Sequence, residues 1–389
     1  MLILSIETSC DETAISIVEV VGDFPTATYS ILSNALFSQI EIHREYGGVF
    51  PALAKREHIA TILPMLEQAL GQAAIPKADF TPTLTEEERT HVHTLLAREH
   101  ALGDQVLGFH ERYGSVPINA IAVTTGPGLE PALWVGINFA KVLAYLWNVP
   151  VVPVDHMEGH ILASVFDGHH LAPVVFPAIS LLVSGGHTEL ILVRDWNQYE
   201  KIGQTRDDAA GEAFDKVARL LGLPYPGGPE VGKLAAIARS LALPPFAKLP
   251  LPMLYSGDLD FSFSGLKTAV RYAIADQVLT ETQKQALARD FEDAVVGVLI
   301  AKVKTAIETH GAYSVILGGG VSANTQLRKA MSSLASPLLF PDLAVYLPEI
   351  SLSTDNSIMI ALAGHAHLND KLSPATFALT IKADGNHSL

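Results

Sequence analysis

Two hydrophobic periods alternate along the chain. Residues 2–6 and 14–19 are short runs rich in β-branched and apolar side chains. The polar run Glu7-Thr8-Ser9-Cys10-Asp11-Glu12-Thr13 joins them, which predicts a hairpin. A third strand is expected over 29–39. Ile59, Ile62, Leu63, Leu66 and Leu70 then recur at helical spacing and predict a helix from about 56 to 70. Residues 120–125 read as a buried strand closed by Gly126-Pro127-Gly128. A long apolar helix over about 131–147 and a strand over 149–154 follow.

After Pro173 the pattern restarts. Strands are expected over 178–183 and 189–193, around the tight loop Ser184-Gly185-Gly186-His187-Thr188. They lie over the first hairpin at a constant offset of 184 − 9 = 175. Ser9 falls on Ser184, Thr13 on Thr188, Ile15 on Leu190, Ile17 on Leu192 and Val18 on Val193. A strand at 199–204, helices at 209–221 and 291–309, a strand at 314–317, a helix at 324–334 and a strand at 344–347 complete a second set. The repeated element order predicts an α/β protein of two duplicated lobes around a central cleft. The expected division is 1–168, with 354–389 packing back on it, and 169–353.

Residues 74–117 break the pattern. Pro76 and Pro82 interrupt the chain, and Thr85-Glu86-Glu87-Glu88-Arg89 opens a charged helical stretch carrying His91, His93, His100 and His110. Blocks of charge usually face water, so this reads as a solvated surface insertion rather than a metal site.

Charge narrows the function classes. With 26 basic and 41 acidic residues the net charge is −15, so the chain is not a lone, general binder of nucleic acid. A nucleic-acid substrate would need a local basic patch or a second protein. Cys10 is the single cysteine, which excludes an internal disulfide and fits a reducing, cytoplasmic compartment. The N-terminus carries no basic region before its apolar run, and no uncharged apolar run approaches the roughly 18–20 residues of a membrane span. No membrane partner is expected.

The chemistry converges on Val151-Val152-Pro153-Val154-Asp155-His156-Met157-Glu158-Gly159-His160. A strand ends here and a helix starts, with Asp155 placed to cap it. His156 and His160 then lie on one helix face, roughly 6 Å apart, where two imidazoles can grip one metal ion. Ordinary helices carry the same spacing. Glu158 is about 200° around the helix from His156, so the zinc-peptidase arrangement is excluded; with Asp155 it forms a capping pair instead. Gly159 inside a helix costs about 1 kcal/mol against Ala, which points to a close approach there. Three loops can face phosphate or ribose: Ser184-Gly185-Gly186-His187-Thr188, Gly318-Gly319-Gly320-Val321-Ser322-Ala323-Asn324 and Pro226-Gly227-Gly228-Pro229. Each also suits a plain turn, and Asn324 also suits a helix N-cap.

These motifs occur with Asp207-Asp208-Ala209-Ala210-Gly211-Glu212-Ala213-Phe214-Asp215-Lys216, Phe261-Ser262-Phe263-Ser264-Gly265-Leu266-Lys267 and Ser353-Thr354-Asp355-Asn356, all in one order. In that order they closely resemble the TsaD family, tRNA N6-adenosine threonylcarbamoyltransferases. The resemblance covers nearly the whole chain. It implies the fold shared by actin, Hsp70 and sugar kinases. It implies transfer of threonylcarbamoyl from its adenylate, threonylcarbamoyl-AMP, to N6 of the adenosine beside the anticodon of tRNAs reading ANN codons. It implies one divalent metal, iron ahead of zinc, held by His156, His160 and Asp355. It implies adenylate contacts from Leu182, Val183, Ser184, Gly185, Gly186, Asp215, Gly228 and Asn324, with His187 close by. A TsaB-like inactive paralogue and a TsaE-like P-loop ATPase are the implied partners. Asp355 is also placed to cap the helix expected from 356 to 367. Cys10 reads as a loop residue, not a nucleophile. The chain departs from the family in its 74–117 insertion, in Glu130-Pro131, in Ser353 and Ser357, and in the tail after Lys382. The competing functions are an ATPase or phosphotransferase of the same fold and a non-catalytic partner subunit.

Overall fold

The computed structural model describes residues 1–78, 83–275 and 277–389; Pro82, expected to break the chain, lies outside them. The chain forms two compact units. One comprises Met1–Glu41, Val49–Ala172 and Asp355–Ser388, and the other Ile42–Gly48, Pro173–Thr354 and Leu389.

The first unit is built on β1 (Leu2–Glu7), β2 (Glu12–Val21) and β3 (Thr28–Ser38), followed by a short helix α1 (Ile40–Arg44) and by α2 (Pro51–Gln72). Next come α3 (Glu86–Leu95), α4 (His100–Tyr113), β4 (Ala120–Gly126), α5 (Glu130–Trp147), β5 (Val151–Asp155) and α6 (His156–Ser164). The sheet order is β3-β2-β1-β4-β5. Successive strand residues face opposite sides. Leu4, Ile6, Ile15 and Ile17 therefore share one face, buried with Ile62, Leu66, Phe139 and Leu143. Ser5, Glu7 and Ser16 point the other way and are buried without joining that core.

The second unit contains β6 (Ala178–Val183), β7 (Thr188–Asp195), β8 (Gln198–Gln204), α7 (Ala210–Leu220), α8 (Gly227–Ser240), α9 (Ser264–Ala273) and α10 (Glu281–His310). It continues with β9 (Ser314–Gly318), α11 (Thr325–Ser332) and β10 (Ala344–Tyr346). The chain then re-enters the first unit with α12 (Ser357–Ala366) and α13 (Pro374–Thr380). The second sheet runs β10-β9-β6-β7-β8, the same connectivity as the first when read from β8. The offset of 175 holds in the ladders themselves: Ile6 pairs with Ile15, and Leu181 with Leu190. The architecture is a duplicated α/β fold with two five-stranded sheets.

Several elements differ from the sequence pattern. The insertion is not merely solvated: Val92, Leu96, Leu102, Val106 and Phe109 belong to the first unit's core. The acidic block Glu86–Glu88 only opens α3, whose capping box is made by Thr85 and Glu88. The apolar stripe behind it is what packs. Helix α10 begins ten residues before the expected 291, because Thr280 and Gln283 form a capping box ahead of the apolar run. Pro226-Gly227-Gly228-Pro229 leads directly into α8 rather than a turn. Helices α9 and α13 were hidden by short apolar patterns. Among the described residues, no helix is long and apolar enough to cross a membrane.

Candidate metal centre and nucleotide loops

Helix α6 starts where β5 ends because Asp155 caps it. Its Oδ1 accepts from the backbone N–H of Met157 at 2.7 Å and of Glu158 at 3.0 Å. The reciprocal half of a capping box is absent: Glu158 instead accepts from His367 Nε2 at 2.8 Å. Gly159 lies where α12 packs closely on α6. A Cβ at that position would stand 3.0 Å from Met359 Cγ and 3.3 Å from Ile360 Cδ1.

His156, His160 and Asp355 come together. Their ligand atoms lie within 4.8 Å of one another, and no other such group forms among the described residues. The imidazoles stand 4.8 Å apart at 86°. Asp355 Oδ1 is 3.4 Å from His156 Nε2 and 3.2 Å from His160 Nε2. His160 Nε2 nevertheless makes no hydrogen bond, although it is fully buried. Distance without hydrogen-bond alignment is what ligands aimed at a common point produce, and a buried orphan nitrogen is costly unless something fills it. Asp355 is free for this role. Asn356 takes the capping position, its Oδ1 accepting from the Met359 N–H at 3.0 Å.

Glu7 completes the group, and sequence reasoning missed it. Its Oε2 lies 3.1 Å from His156 Nδ1, with Ser9 Oγ 3.2 Å from the same nitrogen. Thr124 Oγ1 donates to Glu7 Oε2 at 2.5 Å and the Ser9 N–H to Oε1 at 2.5 Å. A carboxylate on Nδ1 fixes the ring and leaves Nε2 to face a metal. The only sequence signal was an acid at the end of a mostly apolar strand, which the hairpin reading placed in a loop.

Electrostatics follow the geometry. Burial opposes charge on Asp355, but the two imidazoles outweigh it and hold the carboxyl far below its ordinary range. Burial likewise opposes a charged His156, and Asp355 and Glu7 outweigh it, raising its pKa well above the usual imidazole value. Burial wins at His160, whose pKa is lowered, so it stays neutral and able to ligate. Burial and the neighbouring Asp11 push the Cys10 thiol well up, the opposite of what a thiolate nucleophile needs. The insertion histidines disperse: His93 Nε2 lies 3.4 Å from Asp104, and His91 packs edge-on to Tyr145.

The remaining predicted residues all lie in the second unit: at the end of β6 and the turn after it, in α7, at the start of α8 and beyond β9. Leu182 and Val183 are fully buried, so neither presents a surface of its own. Ser184 Oγ accepts from the N–H groups of Gly186 at 3.3 Å and His187 at 3.1 Å, setting the turn. A Cβ on Gly185 or Gly186 would meet nothing within 4 Å, so both backbones face open space. The turn is pressed against its neighbours: a Cβ on Gly211 would lie 2.5 Å from Ser184 O, and one on Gly319, at φ +84°, would overlap Val183 O. Asp215 Oδ1 accepts from the Gly227 N–H at 2.6 Å, which fixes the start of α8 beside α7. A Cβ on Gly228 would also meet nothing. Asn324 caps α11 by accepting from the Leu327 N–H at 2.8 Å, and its Nδ2 donates to the buried Glu292 at 2.6 Å.

A duplicated α/β fold with a buried two-histidine, one-carboxylate group and glycine-lined strand ends defines the class. The chain belongs to the TsaD family: the family model described as tRNA N6-adenosine threonylcarbamoyltransferase matches residues 30–82 and 114–362. The stretch between the two matched segments contains α3 and α4. Relatives bearing that same name in Burkholderia ambifaria, Burkholderia cenocepacia and Paraburkholderia xenovorans are each 43% identical, over 98% of this chain and 97% of theirs. The family is one of transferases. Full-length HypF in its phosphate- and nucleotide-bound form matches with a TM-score of 0.50 at 13% identity, covering 95% of this chain and 46% of that one; the likeness is one of fold.

Proposed function

We propose that the protein transfers the threonylcarbamoyl group from threonylcarbamoyl-AMP to N6 of adenosine 37 in tRNAs that read ANN codons, releasing AMP. The observation that carries this reading is the convergence of His156, His160 and Asp355, with His160 Nε2 buried and unspent. An ATPase or phosphotransferase of the same fold has no use for that group, and a non-catalytic subunit no reason to keep it.

An exocyclic amine is a weak nucleophile, so the acyl carbon must be held and made electrophilic. A divalent cation on the three side chains, iron(II) ahead of zinc for a two-histidine, one-carboxylate set, would polarise the threonylcarbamoyl oxygens. The protein's own residues do the rest. Glu7 holds the His156 ring with Nε2 forward. The open backbones at Gly185, Gly186 and Gly228 receive the AMP moiety, with N–H groups near the phosphate that departs. Asp215 and Asn324 hold the walls of that subsite through the α8 and α11 starts. No covalent intermediate is required. We also propose a TsaB-like paralogue and a TsaE-like P-loop ATPase as working partners, in the cytoplasm.

The test supplies threonylcarbamoyl-AMP and unmodified tRNA, with those partners present, and follows the modified nucleoside. Wild type should form it and His156→Ala should fall by at least about a hundredfold, as expected when an electrophile-activating group is lost. Undiminished product from His156→Ala would remove the metal group from the mechanism.

A further inference from the structure

We propose that the surface of α9 carrying the half-buried Lys267 and the exposed Arg271 and Tyr272 is a docking surface for the tRNA. The inference rests on the transfer reaction proposed above and deepens it by naming a place where an acidic chain can hold an anionic substrate.

Helix α9 is amphipathic, with Leu266 and Val270 fully buried. Lys267 and Arg271, each one residue further on, are four apart and share a neighbouring face. Neither has an acidic partner among the described residues. By contrast, Arg206 is bound by Asp258 and Asp260, Lys216 by Asp208 and Glu212, and Arg239 by Glu292 and Asp293. Arg271 lies 5.6 Å over the Tyr272 ring, which is itself 70% exposed. An uncompensated cation pair beside an open aromatic ring is the combination that grips a looped, single-stranded RNA: cations on phosphate, a ring for an unstacked base. On a chain of net charge −15 such a patch stands out.

The helix is also rigidly tied to the nucleotide turn. Asp207 accepts from the N–H groups of Phe263 at 2.8 Å and Ser264 at 3.2 Å, and from the hydroxyls of Ser262 at 2.5 Å and Ser264 at 2.6 Å. Four residues later Gly211 donates its N–H to Ser184 O at 3.2 Å. One short segment therefore anchors both the start of α9 and the turn proposed to receive the adenylate. RNA held on α9 would be held on an element tied at its start to the segment that supports that turn.

The experiment measures binding of an unmodified tRNA transcript to the full chain between about 50 and 200 mM salt, where phosphate contacts show themselves. Lys267→Glu/Arg271→Glu should weaken binding about tenfold or more and flatten the salt dependence by one to two charges. Tyr272→Ala should weaken binding with the salt dependence kept. The charge-matched control Lys233→Glu/Lys284→Glu, on α8 and α10, should bind as wild type, and all variants should melt with wild type. If wild type binds and modifies tRNA while the α9 variants match the control, the surface assignment is wrong and the reaction stands. The assignment is equally wrong if the α9 variants keep tRNA affinity and lose only a protein partner. If wild type neither binds nor modifies tRNA, the reaction itself fails and takes this inference with it.

Discussion

Glu7 decides which nitrogen of His156 faces forward. It is fully buried, and Ser9, Thr124 and His156 all bond to it. Its effect on a bound metal would be indirect, through ring orientation and basicity. Glu7→Gln keeps the volume and removes the charge. Metal affinity should fall about 10- to 100-fold, read by competition with a chelating dye, while far-ultraviolet dichroism is unchanged. Affinity equal to wild type would show that the carboxylate only satisfies buried hydrogen bonds. The site was legible in unequal parts. The His pair shows itself by helical spacing alone. Asp355 lies about two hundred residues away in sequence and was reached only through the family resemblance. Glu7 was hidden because nothing in a strand-ending acid says that it turns inward.

Elements carry two consequences. Helices α3 and α4 put Phe109 fully inside the core, stacked at 4.7 Å on Tyr113. Phe109→Ala should therefore cost roughly 3–5 kcal/mol in chemical denaturation, as core Phe truncations do. A change under about 0.5 kcal/mol, typical of surface positions, would restore the solvated reading. The charge block misled because it marks only the first turn of α3, while the buried stripe recurs across two helices. The second consequence is a pH dependence where α12 meets α6. His367 donates to Glu158, and that bond, with Asp370 adding to it, raises its pKa to about 9. A raised folded pKa means the protonated form is favoured by folding. Its contribution is fully present below the unfolded value near 6.5 and is lost as pH rises through about 9. Melting temperature should fall across that window, and His367→Gln should flatten the fall. A parallel decline in the variant would assign the effect elsewhere.

For the whole molecule, duplication was the most legible feature. The offset of 175 read from a handful of side chains reappears in strand pairing and in sheet order, because strand registry is set by the same buried faces that generate the pattern. Helices without a long apolar period, α9 above all, were invisible for the converse reason: two buried residues suffice to dock them. Division of labour follows the chain. The proposed metal ligands and Glu7 belong to the first unit, and the residues proposed to receive the adenylate belong to the second. The central claim is that the first of these sets binds one cation. Metal analysis of protein purified without chelator, or reloaded anaerobically with iron(II), tests it directly. About one ion per chain is expected in wild type and none retained when His156, His160 and Asp355 are all replaced by Ala, with the variant still folded. A folded triple variant that keeps a full equivalent of metal would contradict it.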